Sequence, residues 1–160
     1  MAVEEISVSL YTPKSVGVDW GFSSTATSIV VLEHMNNQFR DGKIKEDVKR
    51  VIDCHLIEKG DPIQIVELCW SIWTKYGYMN VWYYCDAANA ELTDLMKVRW
   101  NESANWIRAE DVSPGNNKII PVTFNTRHKA MLYDLHLMVS KDYLAVQPKY
   151  DKLITSLRTA

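Results

Sequence analysis

The chain is short of several things, and each shortage excludes a class of protein. It has three cysteines, Cys54, Cys69 and Cys85. An odd number with no CxxC or other ligand spacing supports neither a disulfide framework nor a zinc site. Each thiol lies in an apolar run, which fits buried free cysteine in a reducing compartment. No apolar run approaches the roughly 18 residues of a membrane span. The start, Met1-Ala2-Val3-Glu4-Glu5, is acidic where a secretion signal is basic. No GxxxxGK(S/T) phosphate loop occurs, so the chain is not a motor by itself. His34, His55, His128 and His136 show no ligand spacing. There are no internal repeats and no low-complexity tract, and the formal net charge of −2 shows no excess of basic residues.

What is present is a globular composition. Hydrophobic residues make up 47% and charged residues 24%, the usual mix for a soluble domain. The 160 residues suffice for one domain with a core. Six Trp and eight Tyr are a heavy aromatic load, available for a core or a partner surface; Trp70 and Trp73, three apart on one expected helix, read as core. Charge is unevenly spread. Residues 1–96 carry 14 acids against 8 Lys and Arg, whereas residues 97–160 carry 6 against 10. Lys97, Arg99, Arg108, Lys118, Arg127 and Lys129 gather in the first part of the basic half. A basic flank beside an acidic site suits a phosphodiester, although an ordinary solvated surface gives the same counts.

Residues 1–14 read as a leading segment or the end of a linker, weakly alternating and stopped at Pro13, with one domain over 15–160. Strands are expected at about 15–20, 25–34 and 49–58, the last two joined by a polar tip at 36–43. Gly60-Asp61-Pro62 ends the third strand and opens a helix over about 62–76, with Asp61 as N-cap and Pro62 in its first turn. Ile63, Val66, Leu68, Cys69, Ile72 and Trp73 recur there at helical spacing. A fourth strand follows at about 79–85, a helix from about Asn89, irregular chain over 101–118 and a short strand at 119–124. A helix at about 127–140, an extended piece at 143–147 and a last helix at 149–159 complete the order. Three antiparallel strands followed by alternating helices and strands predict an α/β protein, a mixed sheet with helices on both faces. That is the order of the ribonuclease H-like fold, in which the first and fourth strands are neighbours.

Two acids stand out against this order. Asp19 closes the apolar run Ser15-Val16-Gly17-Val18 and is followed by Trp20-Gly21-Phe22-Ser23-Ser24 and a second strand. Asp86 closes Val81-Trp82-Tyr83-Tyr84-Cys85. The fold order brings them together at one edge of the sheet although they are 67 positions apart. Two carboxylates at the ends of buried strands point to a metal-dependent nuclease. Each also fits a local role, Asp19 as a turn residue at a hairpin and Asp86 as a helix N-cap.

The stretch from Val16 to Phe22, with the small-residue return into the second strand, resembles the opening of the nuclease domain of viral (phage-type) terminase large subunits. Tyr83-Tyr84-Cys85-Asp86-Ala87-Ala88-Asn89-Ala90-Glu91 is similar to that family's second acidic motif, an acid followed by small residues and a helix. Ile120-Pro121-Val122 through Lys129, then Leu144 to Pro148 and the final helix, follow the family's order, so the resemblance spans roughly 15–160. It implies an endonuclease that cuts concatemeric double-stranded viral DNA during packaging. The partners it implies are a terminase ATPase domain, a small terminase subunit and a portal. It also implies work inside the host cell, in the cytoplasm or, for a eukaryotic virus, the nucleus. The chain is expected to be a monomer in isolation and to engage no membrane. The family's third acid sits in an Asp-Ala motif on a C-terminal helix. Asp134, Asp142 and Asp151 do not match it, and the chain reads as a fragment or shortened protein with an incomplete metal site.

The chemistry expected is hydrolysis with two divalent metals, Mg²⁺ or Mn²⁺, held by short oxygen-bearing side chains on rigid strands. Asp19 would bridge both ions and Asp86 bind one, while Gly21 allows the tight turn beside them. Without a third carboxylate, metal affinity should be weak and cleavage slow or absent. Lys97, Arg99, Arg127, His128 and Lys129 are candidates for DNA phosphates. Two alternatives stay open: a Holliday-junction-resolvase-like nuclease, which wants a more basic dimer, and a non-catalytic assembly or binding module that kept the fold. An actin or sugar-kinase type of phosphate-binding fold lacks its second glycine-rich turn here.

Overall fold

The computed structural model describes residues 1–21, 25–36, 38–40, 42–102 and 114–159. The turn at Phe22-Ser23-Ser24, parts of the polar tip, and residues 103–113 with Arg108 lie outside the described residues. Nine strands are described, β1 (Ala2–Val3), β2 (Lys14–Asp19), β3 (Thr27–Met35), β4 (Gln38–Arg40), β5 (Lys43–Lys45), β6 (Val48–Ile57), β7 (Val81–Asp86), β8 (Ile119–Val122) and β9 (Leu144–Val146). The helices are α1 (Pro62–Lys75), α2 (Ala90–Glu102), α3 (Pro114–Lys118), α4 (Phe124–Ser140) and α5 (Asp151–Thr159). Seven strands form one mixed sheet in the order β1-β9-β6-β3-β2-β7-β8, and β4-β5 is a separate ribbon at the tip of the β3–β6 hairpin. The expected antiparallel trio β2-β3-β6 and its parallel neighbour β7 are in place.

Alternation decides what each strand buries. Val16 and Val18 of β2, Ile29 and Val31 of β3, and Val81, Tyr83 and Cys85 of β7 all point to one face. There they meet Val66, Cys69, Ile72 and Trp73 of α1 and Leu92, Met96 and Trp100 of α2. Trp73 and Trp100 are fully buried, with ring centroids 5.3 Å apart, and Tyr83 meets Trp100 edge-on at 5.5 Å. Three tryptophans, Trp70, Trp73 and Trp100, thus form core rather than a surface platform. The Tyr83 hydroxyl donates to Cys69 O at 2.6 Å and Trp73 Nε1 to Val81 O at 3.2 Å, so two buried polar groups are satisfied. Cys69 and Cys85 are buried free thiols with pKa values pushed up by desolvation, Cys85 to about 12, which makes them inert.

The second face carries a smaller core in which Val30, Leu32, Val51, Leu144 and Val146 meet Leu135, Met138 and Val139 of α4 and Ile154 of α5. Connection handedness explains the division. The chain moves across the sheet in one direction from β6 through α1 to β7 and through α2 to β8, and in the other from β8 through α4 to β9. Right-handed crossovers in opposite directions place their helices on opposite faces.

Local chemistry sets the helix starts. Asp61 Oδ1 accepts from Ile63 N at 2.9 Å with Pro62 in the first turn, as expected. Where irregular chain was expected, Pro114 opens the short α3. Gly115 is required there, since a Cβ would lie 2.4 Å from Lys97 O. Helix α4 begins at Phe124, one turn earlier than its apolar spacing indicates. In the leading segment, β1 pairs with β9, and the Met1 amine donates to Val139 O at 2.7 Å. At the end of the sheet where β2 begins, a buried ionic network holds residues 7–12. Lys14 and Glu33 face each other across β2 and β3, and Glu33 accepts from Ser9 N at 3.1 Å, Thr12 Oγ1 at 2.7 Å and Arg50 Nε at 3.0 Å. Among the described residues no helix is long and apolar enough to cross a membrane.

Candidate functional site

Asp19 and Asp86 lie side by side. Val18 pairs with Cys85 in the parallel β2–β7 ladder, and the next residue of each strand is an aspartate at its carboxyl end. Register extends the row: Ser28 stands opposite Asp19, Leu56 opposite Ser28, and Val122 beside Asp86. All lie on the face away from the main core. The acids therefore meet inside the sheet, between β2 and β7, and not at its edge as expected, because β8 pairs along the outer side of β7.

The face beside them is open. One row back stand Gly17, Tyr84 and Ile120, and a Cβ at Gly17 would meet nothing within 4 Å. Tyr84 is 38% exposed. Helices α4 and α5 cover the β3-β6-β9 side of this face, and the first 11 residues of α4 are almost wholly exposed. The structure thus leaves a shallow shelf ending at the two carboxylates.

Both acids have oxygens to offer. Asp19 is exposed, and no hydrogen-bond or ion-pair partner of its carboxylate is found among the described residues. Partial desolvation at the strand end raises its pKa, and the Asp86 charge raises it further. Asp86 is half-buried. Its Oδ1 accepts from Ala88 N at 3.0 Å, which caps the 3-10 turn Ala87–Asn89 leading into α2. The capping role weighed from sequence is therefore real, and it uses one oxygen of two. No Lys or Arg neutralises either carboxylate among the described residues.

The surroundings are built from three elements. Gly21 N donates to Thr27 Oγ1 at 2.9 Å and the same hydroxyl donates back to Gly21 O at 3.2 Å, clamping the mouth of the β2–β3 hairpin. Gly21 is forced: a Cβ there would lie 2.2 Å from Ala26 O. On the other side a groove of about 300 Å³ is lined by Asp86, Ala87, Ala88, Thr123, Phe124 and Asn125. It joins Asp86 to the start of α4, whose first turn has no acid and is not capped by the Thr123 side chain. Thr27, Gly17 and the Thr123–Asn125 corner were not singled out from sequence, because only strand register and the return of β8 bring them to the acids.

The sequence-derived basic residues divide. Arg127, His128 and Lys129 are exposed on the first turns of α4, close in sequence to the Phe124 corner. Arg99 is engaged on the α1–α2 side, its Nε donating to Glu67 Oε1 at 2.6 Å and its guanidinium 4.2 Å from the Trp70 ring centroid. Lys97 is half-buried on α2, its backbone packed against Gly115. The remaining carboxylates that sequence considered are occupied or displaced. Asp142 sits 3.4 Å from the Met1 amine, Asp151 Oδ1 accepts from Lys152 N, and Asp134 lines a separate groove with Lys49 and Lys141. No group of three or more His, Cys, Asp or Glu able to hold a metal occurs among the described residues.

No protein-family model matches the sequence, and no curated protein matches it. Solved structures do. The large terminase nuclease from thermophilic phage G20c superposes with a TM-score of 0.58 at 12% identity, over 92% of this chain and 68% of that one. The large terminase of a second thermophilic bacteriophage gives 0.49 at 12% identity, over 75% and 31%. The g2p large terminase nuclease domain from bacteriophage SPP1, with bound Mn, gives 0.49 at 11% identity, over 92% and 68%. The likeness lies in the fold, and the architecture of this chain is that of a phage large terminase nuclease domain, a ribonuclease H-like mixed sheet.

Proposed function

We propose that the chain is a metal-dependent DNA endonuclease module of a phage DNA-packaging terminase, cutting concatemeric double-stranded DNA at Asp19 and Asp86. One observation carries this reading: two carboxylates end adjacent parallel strands with no cation to neutralise them among the described residues, beside an open sheet face. A like-charged pair is costly to keep unless a counter-ion binds there. Its free oxygens suit Mg²⁺ or Mn²⁺, hard ions that take a few carboxylates and retain water. Such ions, when bound, supply Lewis-acid stabilisation of the phosphodiester and an activated water, most fully as a pair. The chain's own part is to hold them with Asp19 and with the uncapped oxygen of Asp86. The Gly21–Thr27 clamp fixes the first acid, and the Ala88 amide orients the second. The shelf at Gly17 leaves room for a DNA backbone, and the exposed Arg127 and Lys129 of α4 are the proposed phosphate contacts.

The G20c nuclease supports the nuclease assignment through the fold, and the SPP1 domain bears Mn. An ATPase domain, a small terminase subunit and a portal follow as proposed partners inside the host cell. A second reading, an assembly module without catalysis, draws on the donor count, since two carboxylates leave the site short of a full two-metal set. Nicking of supercoiled plasmid with Mn²⁺, by the chain and by Asp86→Asn, separates them. Cleavage lost in the variant supports the nuclease. The absence of both cleavage and Mn²⁺ binding that depends on Asp19 and Asp86 sinks it in favour of the module.

A further inference from the structure

A second surface lies on the outer side of α1 and α2. Ile63 is 67%, Val98 54% and Leu95 45% exposed, unusual for three aliphatic side chains in one place. They line a furrow between the two helices. One stretch, of about 160 Å³, is floored by Ile63, Val66, Leu95 and Val98, and the next, of about 520 Å³, by Pro62, Leu92 and Leu95. Leu95 belongs to both stretches, so the furrow is continuous along α2. The 13 residues of α2 give it a length of about 20 Å, a seat for about three helical turns.

Apart from one ion pair, the charges that line it are acidic. Glu67 and Arg99 pair with each other across the furrow at 2.6 Å. Glu91 at one end and Glu102 at the other are exposed, with no ion-pair partner among the described residues. An apolar floor with carboxylates at both ends is complementary to an amphipathic helix with basic flanks, and repels the phosphate backbone of DNA. We infer that this furrow docks a basic amphipathic helix of a protein partner. Its end is the turn that holds Asp86: Ala88 lines both the furrow and the Asp86 groove, and its N–H binds Asp86 Oδ1. A helix seated there touches the candidate site without occupying it. The inference stands independently of the nuclease reading.

The probe is a synthetic helix of about 14 residues with Leu at i, i+3, i+4 and i+7 and Lys elsewhere, titrated into the whole chain and followed by amide chemical shifts. A control peptide replaces every Lys by Glu. The expected result is perturbation of the amides of residues 63–67 and 88–102 by the Lys peptide alone. Affinity should fall at least tenfold in the Ile63→Ser, Val98→Ser double variant, and severalfold as salt rises from about 50 mM to about 300 mM. Both positions are exposed, so the variant keeps the fold, which its unperturbed remaining spectrum verifies. Four results would overturn the inference: no shift with either peptide, equal shifts with both, shifts centred on Asp19 and Asp86, or concentration-dependent self-association through the same amides.

Discussion

Replacing Asp19 by Asn should make the metal-free protein more stable. The substitution keeps size and shape and removes one of two like charges on adjacent strands. Like charges directly opposed in a sheet cost about 0.2–1 kcal/mol, and Asp19's exposure puts this pair toward the lower end. For a chain of this size that is a rise of roughly 1–3 °C in melting temperature. The pH dependence has a definite sign. Asp19's folded pKa is raised above the ordinary 3.8, so the folded state binds its proton more tightly than the unfolded chain. Wild-type stability therefore falls as pH rises from about 3.8 through the folded value, and Asp19→Asn lacks that contribution. Divalent cation should reverse the ranking. If the acid pair holds Mn²⁺ with a dissociation constant on the order of 1 mM, 10 mM Mn²⁺ stabilises the wild type by about 1.4 kcal/mol, some 3–6 °C, and leaves the variant near its metal-free value. Differential scanning calorimetry at pH 7 with and without Mn²⁺ measures all four states. A variant less stable than wild type without metal, or stabilised equally by Mn²⁺, would show that the two charges do not oppose each other or do not share an ion.

Other perturbations separate architecture from function. Glu33→Ala leaves Lys14 buried without its carboxylate and should cost about 3–5 kcal/mol in urea denaturation. Hydrogen bonds from Thr12, Arg50 and Ser9 outweigh desolvation and hold the Glu33 carboxyl below the ordinary glutamate range. Its stabilisation is therefore present at neutral pH and lost as pH falls through the folded value, so the acid unfolding limb should lose steepness in the variant. Gly21→Ala drives a Cβ into Ala26 O and should lower stability by about 1–3 kcal/mol, seen as a fall in melting temperature. Arg127→Ala with Lys129→Ala should weaken DNA binding and reduce the salt slope by about 0.9 for each phosphate no longer neutralised, read by fluorescence anisotropy at several salt concentrations. Arg99→Ala should instead cost up to about 1 kcal/mol of stability, through the missing pairing with Glu67 and stacking on Trp70, with that slope unchanged.

Much of this arrangement is readable from local pattern. The apolar runs Ser15-Val16-Gly17-Val18 and Val81-Trp82-Tyr83-Tyr84-Cys85 marked Asp19 and Asp86 as strand ends, and Asp61-Pro62 marked the start of α1. What escaped depends on long-range pairing. Glu33 looks like one polar residue in a strand until register sets it opposite Lys14, and Lys14 and Arg50 lie 19 and 17 positions away. Ala2–Val3 becomes a strand only because β9 supplies its hydrogen-bond partner. Arg99 counts as a free positive charge in sequence, and the packing of α2 on α1 turns it toward Glu67 and Trp70. The furrow at Leu95 was invisible because exposed aliphatic residues on a helix carry the same spacing as buried ones.

Whether Asp19 and Asp86 together hold a divalent cation can be read by titrating Mn²⁺ and following paramagnetic loss of amide signals. Residues 17–19, 86–88 and 122–124 should vanish first, and Asp19→Asn should abolish this selectivity. Losses that begin at Glu91, Glu102 or Asp134, or that spread evenly over the acidic surface, would mean that the two strand-end carboxylates are not a metal site.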